Sequence, residues 1–328
     1  MIGIKDVAKR AGVAVSTVSK VVNDYPNVSE AMKKKVNKAI RELGFVPGSL
    51  ASAISARQPA KIGIVINDDD PEVKGGINVQ YLSGAVKKAS ELNLDAETLY
   101  TSVLRNKSVE ETLTQLRNRN VKGLVFFGLS KNDENALELL KVTTLKKVVT
   151  NYMSVNDSTS FVGVDQCAAS YDEVKAMLES NPVERILYLA GSEDRFETEE
   201  RLSGAKKAAS DKNVEILVRN ADFCEKKARD IIFNEKEDYR MVVASSDLCA
   251  IGAMKALTEM DVFKHVCGFG GIPLMAYAAD GMTTLKIDFE GVAAAAVSEL
   301  SELLSGKKGR KVLCGYTVGK TEYHDVLG

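Results

Sequence analysis

The chain has 328 residues, a length typical of two or three compact units. Hydrophobic residues make up 45% of it and charged residues 27%, which excludes a disordered or fibrous protein. No run approaches the roughly 18 apolar residues of a membrane span, and the opening MIGIKDVAKR lacks the apolar stretch of a signal peptide, so we expect a cytoplasmic protein.

The net charge of −1 is divided unevenly along the chain. Residues 1–58 hold ten basic and four acidic side chains, a balance of +6, whereas the remainder holds 34 basic and 41 acidic ones, a balance of −7. A basic head on an acidic body predicts that only the head contacts a polyanion.

Three short helices are predicted in the head. Apolar residues at helical spacing indicate a first helix over 4–11, a second that begins at Val15 or Ser16, and a third that follows Ser29 as its N-cap. Gly12 separates the first two. Two short helices joined at a glycine turn are typical of helix-turn-helix DNA readers.

The pattern of apolar and polar residues changes after Pro47-Gly48 and a linker that ends near residue 60. Short apolar runs then alternate with amphipathic helical stretches, a pattern that predicts parallel sheets covered by helices on both faces. The apolar runs are 62–66, 123–128, 147–151, 185–191, 241–246 and 266–271. The helical stretches are 81–92, 134–140, 199–210, 248–260 and 291–304. These units suffice for two similar lobes.

Cysteine and histidine are too sparse to suggest a metal site, and we expect neither a metal nor a cofactor. The two histidines are far apart and no two cysteines form a CxxC pair, which favours buried free thiols. The cysteines are Cys167, Cys224, Cys249, Cys267 and Cys314.

The run IKDVAKRAGVAVSTVSKVVNDYPNVSEAMKKKVNKAIRELGFVP, residues 4–47, resembles the DNA-binding head of the lac-repressor (LacI/GalR) family at nearly every helix-turn-helix position. The body resembles the two-lobed sensor of that family, which is similar to type I periplasmic sugar-binding proteins. The resembling segments are IGIVI, ERLSGAKKA at 200–208, SDLCAIGAMKAL at 246–257 and GFGGIPLMAYAADGMTTLKIDF at 268–289.

The resemblance implies an all-α helix-turn-helix head joined to an α/β body of two doubly wound parallel sheets. The implied divisions are a DNA-binding domain over 1–47, a hinge helix and linker over 48–60, and an effector-binding and dimerisation domain over 61–328. Within that domain, we expect an N-lobe of about 61–160 plus 290–328 and a C-lobe of about 161–289.

The resemblance also implies which head residues contact DNA. The second helix lies in the major groove, where Val15 offers apolar contact, Ser16 donates or accepts, and Lys20 reaches the acceptors of guanine. The positions that match phosphate-bonding residues are Thr17, Ser19 and Asn23. N-capping is the alternative role for Ser16 and Thr17, and both roles are compatible at a helix N-terminus.

Residues 47–56 match the hinge helix of the family. In relatives, two hinges order on the operator and push an apolar side chain into the minor groove, and Ile54 occupies that position here. Ser52 and Gly48 replace the usual arginine and asparagine, which predicts a hinge that orders less readily. The alternative is a plain linker. The expected partner is a pseudo-palindromic operator in double-stranded DNA, bound by a homodimer.

An effector is expected between the lobes, at the carboxyl ends of the strands. The resemblance implies that the Arg201 guanidinium forms paired hydrogen bonds to a ligand and that Phe223 stacks on the face of the ligand. It also implies that the pair Ser246-Asp247 contacts the ligand. The further candidates are Ile77 and Asn78 after the first strand, and Phe127, Tyr152 and Asp165 at the mouths of successive strands. The alternatives are an interlobe salt bridge for Arg201, core positions for Phe223 and Tyr152, and a helix cap for Asp247.

Departures from the family pattern predict an unusual effector. Gly270 stands where relatives carry an aspartate that hydrogen-bonds the hydroxyl groups of the ligand. Ile287 replaces a glutamine of the family pattern, and Tyr152 replaces an arginine. Losing these groups removes much of the hydrogen bonding to hexoses. The body therefore senses a more apolar, carbohydrate-related or other metabolite, or it is a dimerisation platform that takes a protein co-regulator.

Two other protein classes fit the sequence poorly. An enzyme on such a sheet lacks its phosphate loop, because there is no GxGxxG after a strand and no GxxxxGK[ST], and two histidines allow no plausible triad. A periplasmic solute-binding protein is opposed by the basic head and by the absence of a signal peptide. We therefore expect a transcriptional regulator, most naturally a repressor, and not an enzyme.

Overall fold

The computed structural model describes residues 4–22, 28–43, 60–69, 76–279 and 281–321. Contacts divide the chain into two units, a head of Met1–Pro59 and a body of Ala60–Gly328. Asn23 and the whole predicted hinge over 47–56, with Ile54, lie outside the described residues.

The head contains the three expected helices. They are α1 (Ile4–Ala11), α2 (Val15–Val22) and α3 (Glu30–Leu43). Gly12, with a φ of +60°, ends α1, because the Val13 N–H donates to the Ala8 carbonyl at 3.0 Å, a helix-ending bond that needs a left-handed residue. The Met32 N–H donates to Ser29 Oγ at 3.4 Å, as expected of an N-cap.

Small apolar side chains from all three helices form the core of the head. Valine and alanine let the helices approach closely, and the polar sides of the helices face solvent. The buried residues are Val7, Ala8, Ala11, Val18, Val21, Val36 and Ala39.

The body alternates strands and helices, as the sequence predicts. The strands of its first half are β1 (Lys61–Ile66), β2 (Asp95–Tyr100), β3 (Val121–Phe127), β4 (Lys146–Val149) and β5 (Thr159–Gly163). Those of its second half are β6 (Arg185–Ala190), β7 (Glu215–Asn220), β8 (Met241–Ala244), β9 (His265–Gly270), β10 (Met282–Ile287), β11 (Lys311–Leu313) and β12 (Tyr316–Thr321).

Ten helices of the described body connect these strands. They are α4 (Ile77–Glu91), α5 (Thr101–Arg105), α6 (Val109–Asn118), α7 (Glu134–Lys141), α8 (Gln166–Ser180), α9 (Phe196–Asp211), α10 (Glu225–Asn234), α11 (Asp247–Glu259), α12 (Leu274–Ala278) and α13 (Phe289–Leu304).

The strands form two sheets, one in each lobe. The first lobe has the order β11-β5-β4-β3-β1-β2 and is parallel throughout, and the second has the order β12-β10-β9-β8-β6-β7. In the second sheet only the pairing of β12 with β10 is antiparallel. An all-α head and a two-lobed α/β body confirm the predicted fold class.

The final strand departs from the expected lobe boundaries. We expected 290–328 to belong to the first lobe, but β12 completes the edge of the second sheet by pairing with β10 from Met282↔Thr321 to Ile287↔Tyr316. The chain therefore passes between the lobes three times: after β5, after β10 and after β11. Without β12, the backbone N–H and C=O groups along this edge of β10 would be unpaired, and β12 pairs with them.

Each sheet is buried on both faces. In the first lobe, α4 and α13 pack on one face and α5 to α7 on the other. In the second lobe, α8 and α9 cover one face, and α10 to α12 cover the other. Burial on both faces explains why the central strands read as continuous apolar runs.

Three helix pairs approach so closely that only glycine fits between them. A Cβ on Gly84, Gly204 or Gly252 would lie 2.1 Å from a backbone carbonyl oxygen of the facing helix. These glycines set the spacing of α4 against α13, α8 against α9, and α10 against α11.

Two properties of the described residues bear on the sequence predictions. No described helix has both the length and the apolar character that crossing a membrane demands. All five cysteines are free thiols; Cys249 and Cys267 are buried, and the other three are half-buried.

Candidate DNA-binding surface and effector cleft

The candidate DNA-reading residues share the outward face of α2. Val15 is 42% exposed, and Ser16 and Lys20 are exposed beside it. Val18 and Val21, on the opposite face, are buried in the head core. The helix thus presents an apolar group, a hydroxyl and an ammonium together, which are the contacts that base edges in a major groove accept.

The phosphate-contact candidates lie next to this face. Thr17 and Ser19 are half-buried. The Ala14 carbonyl accepts the first helical bond, from the Val18 N–H at 3.2 Å, so Ala14 and not Ser16 or Thr17 holds the N-cap position. Ser16 and Thr17 lie inside the first turn, where the helix N-terminus attracts anions, although the Thr17 N–H itself donates to the Ala14 carbonyl at 2.9 Å.

The lobes of the body enclose a cleft with a cavity of about 40 Å³. The lining residues come from both lobes and are Ile77, Asn78, Tyr81, Gly128, Thr150, Asn151, Gly163, Val164, Gln166, Arg195, Glu197, Arg201, Ile287, Phe289 and Val292. A cavity of this size has room for roughly three water molecules, whereas drug-sized ligands occupy at least about 300 Å³. Any larger effector requires the lobes to separate.

One wall of the cleft is charged. Arg195 Nη2 lies 3.1 Å from Glu197 Oε1, and Asn151 Nδ2 donates to Glu197 Oε2 at 3.0 Å. Burial alone raises the pKa of Glu197, but the charges of Arg195 and Arg201 outweigh it and hold this pKa below its ordinary value. The carboxylate is therefore ionised inside the cleft.

Arg201 is fixed by its own lobe. Its Nε donates to Gln166 Oε1 at 2.8 Å and its Nη1 to the Ser245 carbonyl at 2.6 Å. The guanidinium lies 4.0 Å from the ring centroid of Phe269 and 5.7 Å from that of Phe223. It is not an interlobe salt bridge, because the groups that it contacts here all belong to the second lobe, and it lines the cavity with little exposure.

Another part of the lining is apolar and aromatic. Ile77 and Asn78 lie in the first turn of α4 instead of in a loop, because Gly76 adopts a φ of +84° and starts the helix earlier than predicted. Tyr81 and Phe289 meet edge to face on this wall, with centroids 5.3 Å apart. Of the sequence-predicted effector residues, Ile77, Asn78 and Arg201 line the cavity.

The remaining candidates are directed elsewhere. Phe127 stacks on Tyr81 in the first core, and Tyr152 packs against Phe196 with centroids 4.3 Å apart. Asp165 caps α8 by accepting from the Ala168 N–H at 3.0 Å. Phe223 is fully buried over Gly191, where a Cβ would lie 2.0 Å from its ring. These side chains support the cleft without lining it.

Ser246 and Asp247 have structural partners as well. Ser246 caps α11, and the Asp247 carboxylate accepts from the Ile272 N–H at 2.7 Å and from Thr284 Oγ1 at 2.6 Å. Burial raises the pKa of Asp247 to about 6, and these two bonds oppose the rise. A Cβ on Gly270 would lie 3.2 Å from this carboxylate, so the glycine turn and Asp247 fit together.

Arg195, Glu197, Asn151 and Gln166 were not predicted. In the chain, the first two belong to the polar run SEDRFETEE, which is typical of a solvated helix start. Only the position of this run at the carboxyl end of β6, where ligands meet parallel sheets, pointed to the cleft.

Known proteins are similar to this chain both in the DNA-binding head and over most of its length. The family model described as "Bacterial regulatory proteins, lacI family" matches residues 3–48. The HTH-type transcriptional regulator RegA of Clostridium saccharobutylicum is 30% identical over 285 residues, which are 81% of this chain and 81% of RegA. The chain belongs to the lacI family. The regulator MalR of Clostridium butyricum is 26% identical over 321 residues, 92% of each chain.

Solved structures share the lacI-family fold over almost the whole chain. A complex of the transcriptional regulator CelR with cellobiose has a TM-score of 0.69 at 21% identity and covers 97% of this chain and 98% of that one. The lac repressor dimer bound to operator and the anti-inducer ONPF has a TM-score of 0.68 at 22% identity, covering 98% and 99%.

This lacI-family member is a DNA-binding transcriptional regulator. The relatives named above are transcriptional regulators and not enzymes. They give no support to the alternative of a body that answers to a protein co-regulator.

Proposed function

We propose that this lacI-family protein represses transcription by binding a pseudo-palindromic operator as a homodimer, with α2 in the major groove. The outward face of α2, where Val15, Ser16 and Lys20 stand exposed together, carries the proposal. Thr17 and Ser19, with Asn23 and Ile54 outside the described residues, complete the proposed contacts. No catalytic role is proposed for any residue.

Lys20→Ala is expected to weaken binding to an operator selected from random DNA by about tenfold or more, because a side chain that reads a base contributes about 1–3 kcal/mol. The measurement is a binding titration of the full chain at fixed salt against the selected operator and its single-base variants. Discrimination should relax at one position of each half-site.

Lys38→Ala is the matched control, because it removes the same charge from α3, where Lys38 lies 3.9 Å from Glu42. It should leave the preference among operator variants unchanged. The reading of bases by α2 is contradicted if Lys20→Ala keeps the full preference at every position, and the regulator function is contradicted if residues 60–328 alone bind the operator as well as the full chain does.

We further propose that a small molecule bound between the lobes controls DNA binding. The cleft combines a charged wall, formed by Arg195, Glu197 and Arg201, with an aromatic wall of Tyr81 and Phe289. Because Gly270, Ile287 and Tyr152 replace hydrogen-bonding residues of the family pattern, a small amphipathic metabolite is the proposed effector in place of a typical hexose. The predicted contacts Ile77, Asn78 and Arg201 stand on the cavity wall, with Phe127, Tyr152, Asp165, Phe223, Ser246 and Asp247 behind or beside it.

A metabolite that binds the cleft is expected to raise the melting temperature of the full chain, because binding to the folded state adds about 2.7 kcal/mol of stability at 100 times the dissociation constant. A thermal-shift screen of metabolites measures this. We expect no shift from unmodified hexoses. A shift produced by simple hexoses alone would contradict the proposed class of effector.

A further inference from the structure

The lobes touch each other directly at the rim of the cleft. Residues 128–133, after β3 of the first lobe, meet residues 191–195, after β6 of the second. Ser130 and Arg195 form an isolated antiparallel bridge, and the Lys131 N–H donates to the Asp194 carbonyl at 2.7 Å. The Ser130 hydroxyl donates to Asp194 Oδ2, also at 2.7 Å. Backbone and side chains thus join the lobes at one place.

An ion pair reinforces this junction. Lys131 Nζ lies 2.5 Å from Glu199 Oε1 on α9 and 2.9 Å from the carbonyl oxygen of Glu193. The Glu199 side chain is 78% exposed and that of Lys131 34% exposed. Because the pair is accessible to solvent, its strength is modest and depends on salt.

Two contacts from the next loop of the first lobe extend the junction. Asn151 Nδ2 donates to Glu197 Oε2 at 3.0 Å, while Asn151 is held in its own lobe by bonds to the Leu129 backbone at 2.8 and 3.0 Å. Tyr152 packs on Phe196 across the rim. The ring contact of such a pair stabilises the junction in addition to the apolar area that it buries.

The first-lobe loop is itself fixed. Asp133 accepts from the Ser130 N–H at 2.9 Å and from Arg105 Nη2 at 2.8 Å. Asp133 is buried, so the loop presents Ser130 and Lys131 in one geometry and loses little conformational entropy when it meets the second lobe. The contact surface is therefore preorganised.

We propose that residues 130–131 and 193–199, together with the Tyr152–Phe196 pair, form a latch that holds the lobes closed, and that opening of the cleft requires the latch to break. The consequence for sensing rests on the proposed function. A ligand too large for the cavity binds only the unlatched fraction, so the strength of the latch sets the apparent affinity of the effector.

The test uses a tryptophan reporter in the full chain. Because the chain has no tryptophan, Tyr152→Trp places a single one in the latch. Added to this reporter, Lys131→Glu turns the attraction to Glu199 into repulsion, and we expect the open population to rise about tenfold, the equivalent of about 1.4 kcal/mol. Acrylamide quenching of the tryptophan at low salt, with no DNA or effector present, measures the opening as a higher quenching constant.

Rescue and control variants decide the interpretation. The charge swap Lys131→Glu with Glu199→Lys should restore the original quenching constant. Lys141→Glu should leave it unchanged, because Lys141 pairs with Glu138 at 2.5 Å within α7 of one lobe. Glu199→Gln, at an exposed position that folding tolerates, should raise it slightly. Equal quenching in Lys131→Glu and the parent, or no rescue by the swap, overturns the latch. Loss of operator binding in every variant and in the parent contradicts the proposed function alone.

Discussion

Arg201→Met is expected to lower the free energy of unfolding of the body by about 3–5 kcal/mol, because removal of one partner from a buried charged network leaves the others uncompensated. Burial raises the pKa of Glu173 and of Asp247, and the charge of Arg201 opposes both rises; the same charge helps to hold the pKa of Glu197 below its ordinary value. Its loss also leaves the Ser245 carbonyl without this donor. Urea unfolding of the full chain at pH 7, monitored by the transition of the body, measures the change.

The dependence on pH separates this role from simple loss of packing. Burial raises the pKa of Asp247 to about 6 in the folded state and Arg201 opposes that rise, so the part of the Arg201 contribution that acts through Asp247 is present above this value and is lost as the pH falls through it. The deficit of Arg201→Met should therefore shrink between pH 7 and pH 5. Arg229→Met, which removes an exposed pair with Glu259 at 2.6 Å, should cost less than about 1 kcal/mol. Wild-type stability of Arg201→Met would show that Arg201 serves ligand binding alone.

Gly204→Ala is expected to destabilise the second lobe by about 2–3 kcal/mol, although alanine normally stabilises a helix interior by about 1 kcal/mol relative to glycine. The new Cβ would lie 2.1 Å from the Cys167 carbonyl oxygen and 2.9 Å from the Tyr171 backbone nitrogen, so α8 and α9 must separate. A loss of stability, where replacing a helical glycine by alanine normally gives a gain, is the result expected of close helix packing. Thermal or urea unfolding of the full chain measures it.

Ser203→Ala supplies the comparison for this substitution. Ser203 is the preceding residue of α9 and is exposed, so its replacement should change stability by no more than about 0.5 kcal/mol. If Gly204→Ala stabilises the protein as an ordinary helical glycine replacement does, α8 and α9 tolerate a wider spacing than the structure shows.

The elements that the sequence predicted are those whose burial pattern repeats at a regular period. The three head helices and the strands β1, β3, β4, β6, β8 and β9 belong to this group, because one buried stripe or two buried faces leave a clear apolar pattern. The strands β2, β5, β7, β10, β11 and β12 were not predicted. For β2 (DAETLY) and β7 (EILVRN) the reason is clear. Both lie at sheet edges, where exposed and half-buried polar residues interrupt the apolar run.

The candidate cleft was predicted less completely than the fold. Position at the carboxyl end of a strand is readable from the chain, and Phe127 and Tyr152 do stand there. The direction of a side chain at that position depends on tertiary neighbours, and the ring of Phe127 turns into the core against Tyr81. Glu197 carries no signal beyond its position after β6, because Asn151, in a loop of the opposite lobe, contacts it only in the folded chain.

The return of β12 to the second sheet has a consequence for how the body is made. Neither lobe is a continuous stretch of chain, because the first needs α13 and β11 and the second needs β12. During synthesis, both lobes stay incomplete until residues beyond 311 have left the ribosome, so the lobes cannot fold one after the other as independent domains do. A fragment limited to 161–289 would also expose the backbone of β10 along its whole edge, which makes it prone to aggregation.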